Sequence, residues 1–361
     1  MPELIMPGHV RYAKAYGILF VVLLLLIALF HFFYPEKIAS RESSQEISSF
    51  KQAEADWNET MRSEKALQEY LAEKPFLRVL YALFSATLIG VFGFGLIFDG
   101  LFIASPRWRR SWVRPPPSEN PVWSFAMIAK VAVLWILVGA FLTLLFYALH
   151  YAKVRISSNA AALFHTTAMQ VTALVLIYHV LRETGNRWKD LGFSIPSKQI
   201  LREIGAGLMA YLAILPVFLL VILIMLAISK LLAQEPPPHP LVEIFLEEGK
   251  RSPFLVFYSV ILASVLGPVV EEVFFRGFCY NIVKAKWGRI AAAIGTAFAF
   301  AWIHQNQFSF IPIFILGLAL AFLYEARKNL WAPMTLHVAH NVFFMAYFFI
   351  AKTMISDYGN L

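Results

Sequence analysis

The stretch FLVFYSVILASVLGPVVEEVFFRGFCYNIV, residues 254–283, decides the fold class. It is long enough to cross a membrane, since about 20 apolar residues span a hydrocarbon core of roughly 30 Å. Yet it carries Glu271, Glu272 and Arg276 in its interior. A charge at the bilayer centre costs about 2.5–3.5 kcal/mol on insertion scales, and such residues mark sites in membrane proteins. Two further oily segments repeat the anomaly: FAWIH (300–304) ends on His304, and HVAHN (337–341) holds His337 and Asn341. One such group could be an accident of sequence; six on three apolar segments predict a site.

Working outward, the 361 residues are 59% hydrophobic and only 15% charged, against about 25% charged in soluble domains. Apolar runs of spanning length recur along the chain without the two-residue alternation of barrel strands. The expected fold is therefore all-α, a polytopic bundle of transmembrane helices. About nine spans are read, near 16–34, 77–105, 122–149, 159–181, 203–233, 253–283, 288–304, 308–326 and 331–351. The net charge of +8 raises the question of nucleic acid, but its location argues otherwise. Arg107, Arg109, Arg110 and Arg114 share one loop, and Arg182, Arg187, Lys189 and Lys198 another. Such clusters are what the positive-inside rule places in the cytoplasm. Lys284, Lys286 and Arg289, then Arg327 and Lys328, fall on the same side of an alternating path that starts with the N-terminus inside. The single cysteine, Cys279, forms no intrachain disulfide and says nothing of compartment.

Residues 35–75 hold six Lys or Arg against nine acids and are expected to be an extracytoplasmic, helical segment. The acidic stretch 234–249 falls on that side too. Pro115-Pro116-Pro117 to Pro121 reads as a stiff cytoplasmic linker. A boundary near residue 120 then separates an N-terminal two-span module, 1–120, from a body at 121–361.

In the body, Gly267-Pro268 suggests the first turn of a half-helix, where proline's missing donor is unpaired in any case. Glu271 and Glu272 would lie near its positive dipole end. Glu272 and Arg276 are four apart, share a face and can pair, which makes one carboxylate structural and leaves Glu271 for other work. His337 and Asn341 are also four apart, with His340 turned aside. Each feature alone has a bland reading: an ion-pair staple, an interfacial histidine, an interhelical hydrogen bond. Together they allow two chemistries. Glu271, His304 and His337 could ligate zinc with water in the fourth position. Without metal, Glu271 and His304 could take a proton from water while His337 and Asn341 donate to a tetrahedral oxyanion. Either arrangement would hydrolyse an amide.

The motifs Glu271-Glu272-x-x-x-Arg276, Phe300-x-x-x-His304 and His337-x-x-x-Asn341, in that order, resemble those of the CAAX protease and bacteriocin-processing (CPBP, or Abi) membrane proteases. FFRG after the glutamates, NLWAPMTLHVAHN around the last motif and WKDLGF at 188–193 are similar too. The resemblance covers roughly 160–351 and implies a membrane endopeptidase with Glu271, His304, His337 and Asn341 catalytic and Glu272 and Arg276 supporting. It implies a membrane-embedded or lipidated substrate, such as a prenylated CAAX protein. It leaves zinc and a metal-free, glutamate-activated water equally open. The membrane expected is a bacterial inner membrane rather than a eukaryotic endomembrane. Two other function classes compete: a non-catalytic scaffold or bacteriocin-immunity protein of the same fold, and a transporter with a proton relay. Against the transporter, no inverted repeat of broken helices is visible in the two halves.

Overall fold

The computed structural model describes residues 15–19, 21–22, 45–61, 63–114, 123–231, 245 and 252–358. Among these every regular element is helical. We number them α1 (Gln45–Thr60), α2 (Glu64–Ala72), α3 (Pro75–Ala104), α4 (Pro106–Trp112), α5 (Phe125–Tyr151), α6 (Ser158–Glu183), α7 (Ser197–Leu231), α8 (Pro253–Trp302), α9 (Gln307–Arg327) and α10 (Trp331–Tyr358). Seven of them, α3 and α5 to α10, are long and apolar enough to cross a membrane. The protein is an integral, multi-pass membrane protein. The expected span at 16–34 lies mostly outside the described residues, as do the proline-rich stretch with the boundary near residue 120 and nearly all of the acidic stretch 234–249.

The expected spans at 253–283 and 288–304 lie in one stretch of helical residues, Pro253–Trp302, which Gly288 breaks, with φ 81° and ψ 177°, a backbone conformation that glycine enters without steric penalty. The Phe300 ring lies 5.3 Å from that of Phe275 and 4.6 Å from the Arg276 guanidinium, whereas 24 residues of straight helix would separate them by roughly 36 Å. The two expected spans are therefore two helical arms that fold against each other at a one-residue turn.

The chain forms two compact units. Within the described residues, one takes in Arg114–Gly205 and Leu266–Thr335, and the other Ser40–Val113, Ala206–Val265 and Leu336–Leu361. The first has a continuous core that includes Ile177, Leu181, Leu191, Phe278, Tyr280, Ile282 and Leu330, all at most 1% exposed. Here α9 lies close against α8, because a side chain on Gly317 would meet Ala297 Cα at 2.9 Å. Small residues at such crossings let backbones approach where lipid gives no hydrophobic drive.

The second unit contains α1 and α2, which fall in the stretch read as helical. Trp57 of α1 meets Tyr70 of α2 edge to face at 5.1 Å and Tyr358 at 5.6 Å. Tyr70 donates to Asp357 at 2.7 Å, and Lys74 pairs with the same carboxylate. Burial, then the hydrogen bond to Asp357, raises the Tyr70 phenol above its ordinary pKa. Gly95 of α3 sits against the Leu212 carbonyl and the Pro216 ring of α7, where a side chain would collide at 2.3 Å.

Candidate active site

Glu272 and Arg276 form the ion pair that their spacing suggests. Arg276 Nη1 donates to Glu272 Oε1 at 2.8 Å, and both side chains are wholly buried. Arg276 Nη2 also donates to the Gly317 carbonyl at 3.2 Å, and its guanidinium lies 4.6 Å from the Phe300 ring centre. The close approach at Gly317 is therefore what brings that carbonyl within reach. Removing a carboxylate from such a pair would strand a buried cation. Glu272 is thereby committed to structure, and the half-buried Glu271 beside it points to a different sector of the helix.

The helix around them differs from the sequence expectation. No half-helix begins at Gly267-Pro268. The chain is helical from Pro253, and the α-helical turn Gly267–Glu272 is flanked by π-helical stretches at Leu262–Leu266 and Val273–Tyr280. Glu271 and Glu272 thus sit inside a continuous helix, not at a helix N-terminus, and the dipole argument for them lapses. The physical reason is Pro268, which cannot donate to the turn before it. A widened turn accommodates its ring without ending the helix, and π-bulges of this kind cluster at functional sites.

The π-helical turn also explains Asn341. In that register the partner of the Ala263 carbonyl is the amide five residues on, and residue 268 is a proline without one. Asn341 Nδ2 donates to Ala263 O at 2.8 Å instead. In lipid an unpartnered carbonyl is costly, so the asparagine of the last motif answers the proline of the first. This bond fixes the amide and takes one of its two hydrogens. His337, one turn earlier on α10, is 2% exposed. His340 faces away among aromatic rings, 4.9 Å from Phe218 and 4.7 Å from Phe344.

His304 lies just past the end of α8, exposed. Its Nδ1 is 2.7 Å from the Phe300 carbonyl, and its ring meets the Phe300 ring edge to face at 4.9 Å. A carbonyl only accepts, so Nδ1 carries the proton and a neutral ring keeps its lone pair on Nε2. That is the form a general base needs. The structure places Glu271, Glu272, Arg276 and His304 in the first unit, and His337 and Asn341 in the second. Among the described residues there is no group of three His, Cys, Asp or Glu side chains fit to hold a metal ion. No step below runs through a metal ion.

Sequence reasoning missed the supports. Gly277 of FFRG lies against Leu191, where a side chain would meet Leu191 Cβ at 3.1 Å. Leu191 and Gly192 of WKDLGF accept from Tyr324 Oη at 3.0 Å and Leu330 N at 3.1 Å. Asn281 Nδ2 donates to Gly277 O and Tyr324 Oη, both at 2.6 Å. Three motif-bearing segments are thereby tied together. Glu203, 0% exposed, accepts from Arg327 Nε at 2.8 Å and Nη2 at 2.7 Å and from Asn329 Nδ2 at 3.0 Å, and it pairs with Arg114. Arg114 and Arg327, read from sequence as loop charges, are thus held by a buried carboxylate. Lys328 pairs with Glu325, as does Lys284 at 2.7 Å. Burial lowers the Lys328 pKa, and Glu325 opposes that shift.

Comparison with known proteins bears on the same segment. Residues 253–343 match the family model described as type II CAAX prenyl endopeptidase Rce1-like, a range that includes all three motifs. The chain is also 27% identical over 84 residues to "Putative membrane peptidase YdiL" of Bacillus subtilis (strain 168), an alignment covering 23% of this chain and 34% of that relative. It therefore spans about a third of the relative's length. No solved structure matches. The similarity of this membrane protein to that family thus falls on the segment that bears the motifs, residues 253–343.

Proposed function

We propose that the chain is an intramembrane endopeptidase that hydrolyses a peptide bond in a membrane-associated substrate of the prenylated CAAX class. The observation that carries the reading is the buried Glu272–Arg276 pair inside the Rce1-like segment. It gives one carboxylate a structural role, and we assign the chemistry to its neighbour, Glu271, which lies on a different sector of the helix. Glu271 accepts a proton from water, aided by His304 through Nε2. The hydroxide attacks the scissile carbonyl, and His337 and the second amide hydrogen of Asn341 donate to the oxyanion. The proton taken from water passes to the leaving amine. A positioned base contributes roughly 10²–10⁴-fold, and each oxyanion donor about 10²–10³-fold.

The test is cleavage of a fluorogenic farnesylated CAAX peptide by the purified full chain, beside an unprenylated control. Glu271→Gln is expected to abolish cleavage while the variant melts close to wild type. A wild type that cleaves neither peptide, or a Glu271→Gln variant that still cleaves, overturns the reading and favours a non-catalytic scaffold. A chelator arm reads any metal requirement.

A further inference from the structure

Helices α5 and α6 pack antiparallel: Lys130 pairs with Glu183 at 2.5 Å, Trp135 Nε1 donates to Met169 O at 2.9 Å, and Phe146 meets Phe164 at 5.9 Å. Near the loop that joins them they part around a cleft of about 290 Å³. Its α5 wall is Thr143, Phe146, Tyr147 and His150, spaced three and four apart on one face. Opposite, the first turn of α6 presents the methyls of Ala161 and Ala162, and this small-against-large pairing leaves the volume open. His165, one turn deeper, also lines the cleft; its Nε2 is buried and has no hydrogen-bond partner among the described residues. A buried polar atom of that kind calls for a ligand.

The connecting residues 152–157, AKVRIS, hold Lys153 and Arg155 and no acid, and both side chains are exposed. The sequence of chemistry into the cleft is thus cationic at the mouth, amphipathic along Tyr147 and His150, then apolar with one imidazole. His165 lies seven residues into α6, roughly 10 Å from its start at 1.5 Å per residue. The headgroup layer of one leaflet is about 5–8 Å thick. With the loop at phosphate level, the His165 backbone falls a few ångströms below the headgroup layer, and its side chain, tilted toward the start of the helix, reaches back toward the level of the ester carbonyls.

We propose that this cleft binds one anionic glycerophospholipid. Lys153 and Arg155 meet its phosphate, His165 donates through Nε2 to an ester carbonyl, and an acyl chain covers Ala161, Ala162 and Phe146. None of the residues assigned to catalysis takes part.

The experiment is native mass spectrometry of the full chain, delipidated in mild detergent and titrated with phosphatidylglycerol or phosphatidylcholine of matched chains. One tight adduct is expected, with phosphatidylglycerol favoured by about tenfold or more, since each basic side chain near the surface contributes. Ala162→Leu, at an exposed position, fills the cleft and weakens both lipids at least tenfold. Lys153→Gln with Arg155→Gln, in the exposed loop, removes the preference between headgroups and decides the matter even if the first variant folds poorly. Adducts unchanged in both variants overturn the proposal. So does displacement of the lipid by inorganic phosphate alone, or by zinc, which the two histidines would then be holding.

Discussion

Pro268 deprives the Ala263 carbonyl of a backbone donor and Asn341 provides one at 2.8 Å, so the two residues are energetically coupled. Asn341→Leu is expected to destabilise the protein by about 1–3 kcal/mol, the cost of a buried acceptor left unmade. Pro268→Ala restores an amide at that turn. In a double-mutant cycle followed by thermal unfolding in detergent, part of the Asn341→Leu loss returns in the Pro268→Ala background; strict additivity would sink the idea. The paired glutamates separate by role in the same assay. Glu272→Gln removes the ion-pair partner of Arg276 at 0% exposure and is expected to cost about 3–5 kcal/mol. Glu271→Gln loses cleavage with little loss of stability. Equal destabilisation by both would mean that Glu271 is a structural carboxylate as well. The i, i+4 spacing made the Glu272–Arg276 pair legible in the sequence. Asn341's partner was not, because it depends on a π-helical register.

At the scale of the element, α8 and α9 pack through one glycine while another is idle. A Cβ at Gly317 would meet backbone and side chain of Ala297 at 2.9 Å, whereas one at Gly295 meets nothing within 4 Å. Gly317→Ala is expected to cost about 1–3 kcal/mol by forcing the helices apart, and to loosen the Gly317 carbonyl from Arg276. Gly295→Ala, in a helix interior, is expected to be neutral or to gain about 0.5–1 kcal/mol. Melting temperatures of the two variants check this, and the reverse order would refute the packing. The sequence shows both glycines in apolar runs and offers no way to rank them. The difference lies in which helix passes nearby.

For the molecule as a whole, Glu203 is the hub of the first unit. It joins α7 to the end of α9, to Asn329 before α10 and to Arg114. Asn329 in turn caps α10, its Oδ1 accepting from Trp331 N at 3.0 Å and Ala332 N at 3.3 Å. Glu203→Ala is expected to destabilise by about 3–5 kcal/mol, since Arg327 is 4% exposed and loses its counter-charge. Glu69→Ala, which breaks the exposed 3.7 Å pair with Lys65, is expected to change stability by about 0–1 kcal/mol. Comparable losses in the two variants would show that Glu203 is not the hub.

The sequence by itself determined the all-helical membrane class, because the length and apolarity of a segment fix whether it can satisfy its backbone in lipid. It also determined the motif residues, because an ionisable group in an oily run has few alternative explanations. Spacing of four residues located the ion pair for the same local reason. Only the tertiary structure decided that the chain turns back at Gly288 within a single residue, that π-helical turns flank the glutamates, and that Glu203 gathers two arginines. Those outcomes turn on which distant groups meet: a proline's missing donor finds Asn341, and a buried carboxylate finds Arg114 and Arg327. Periodicity along the chain carries no record of such meetings.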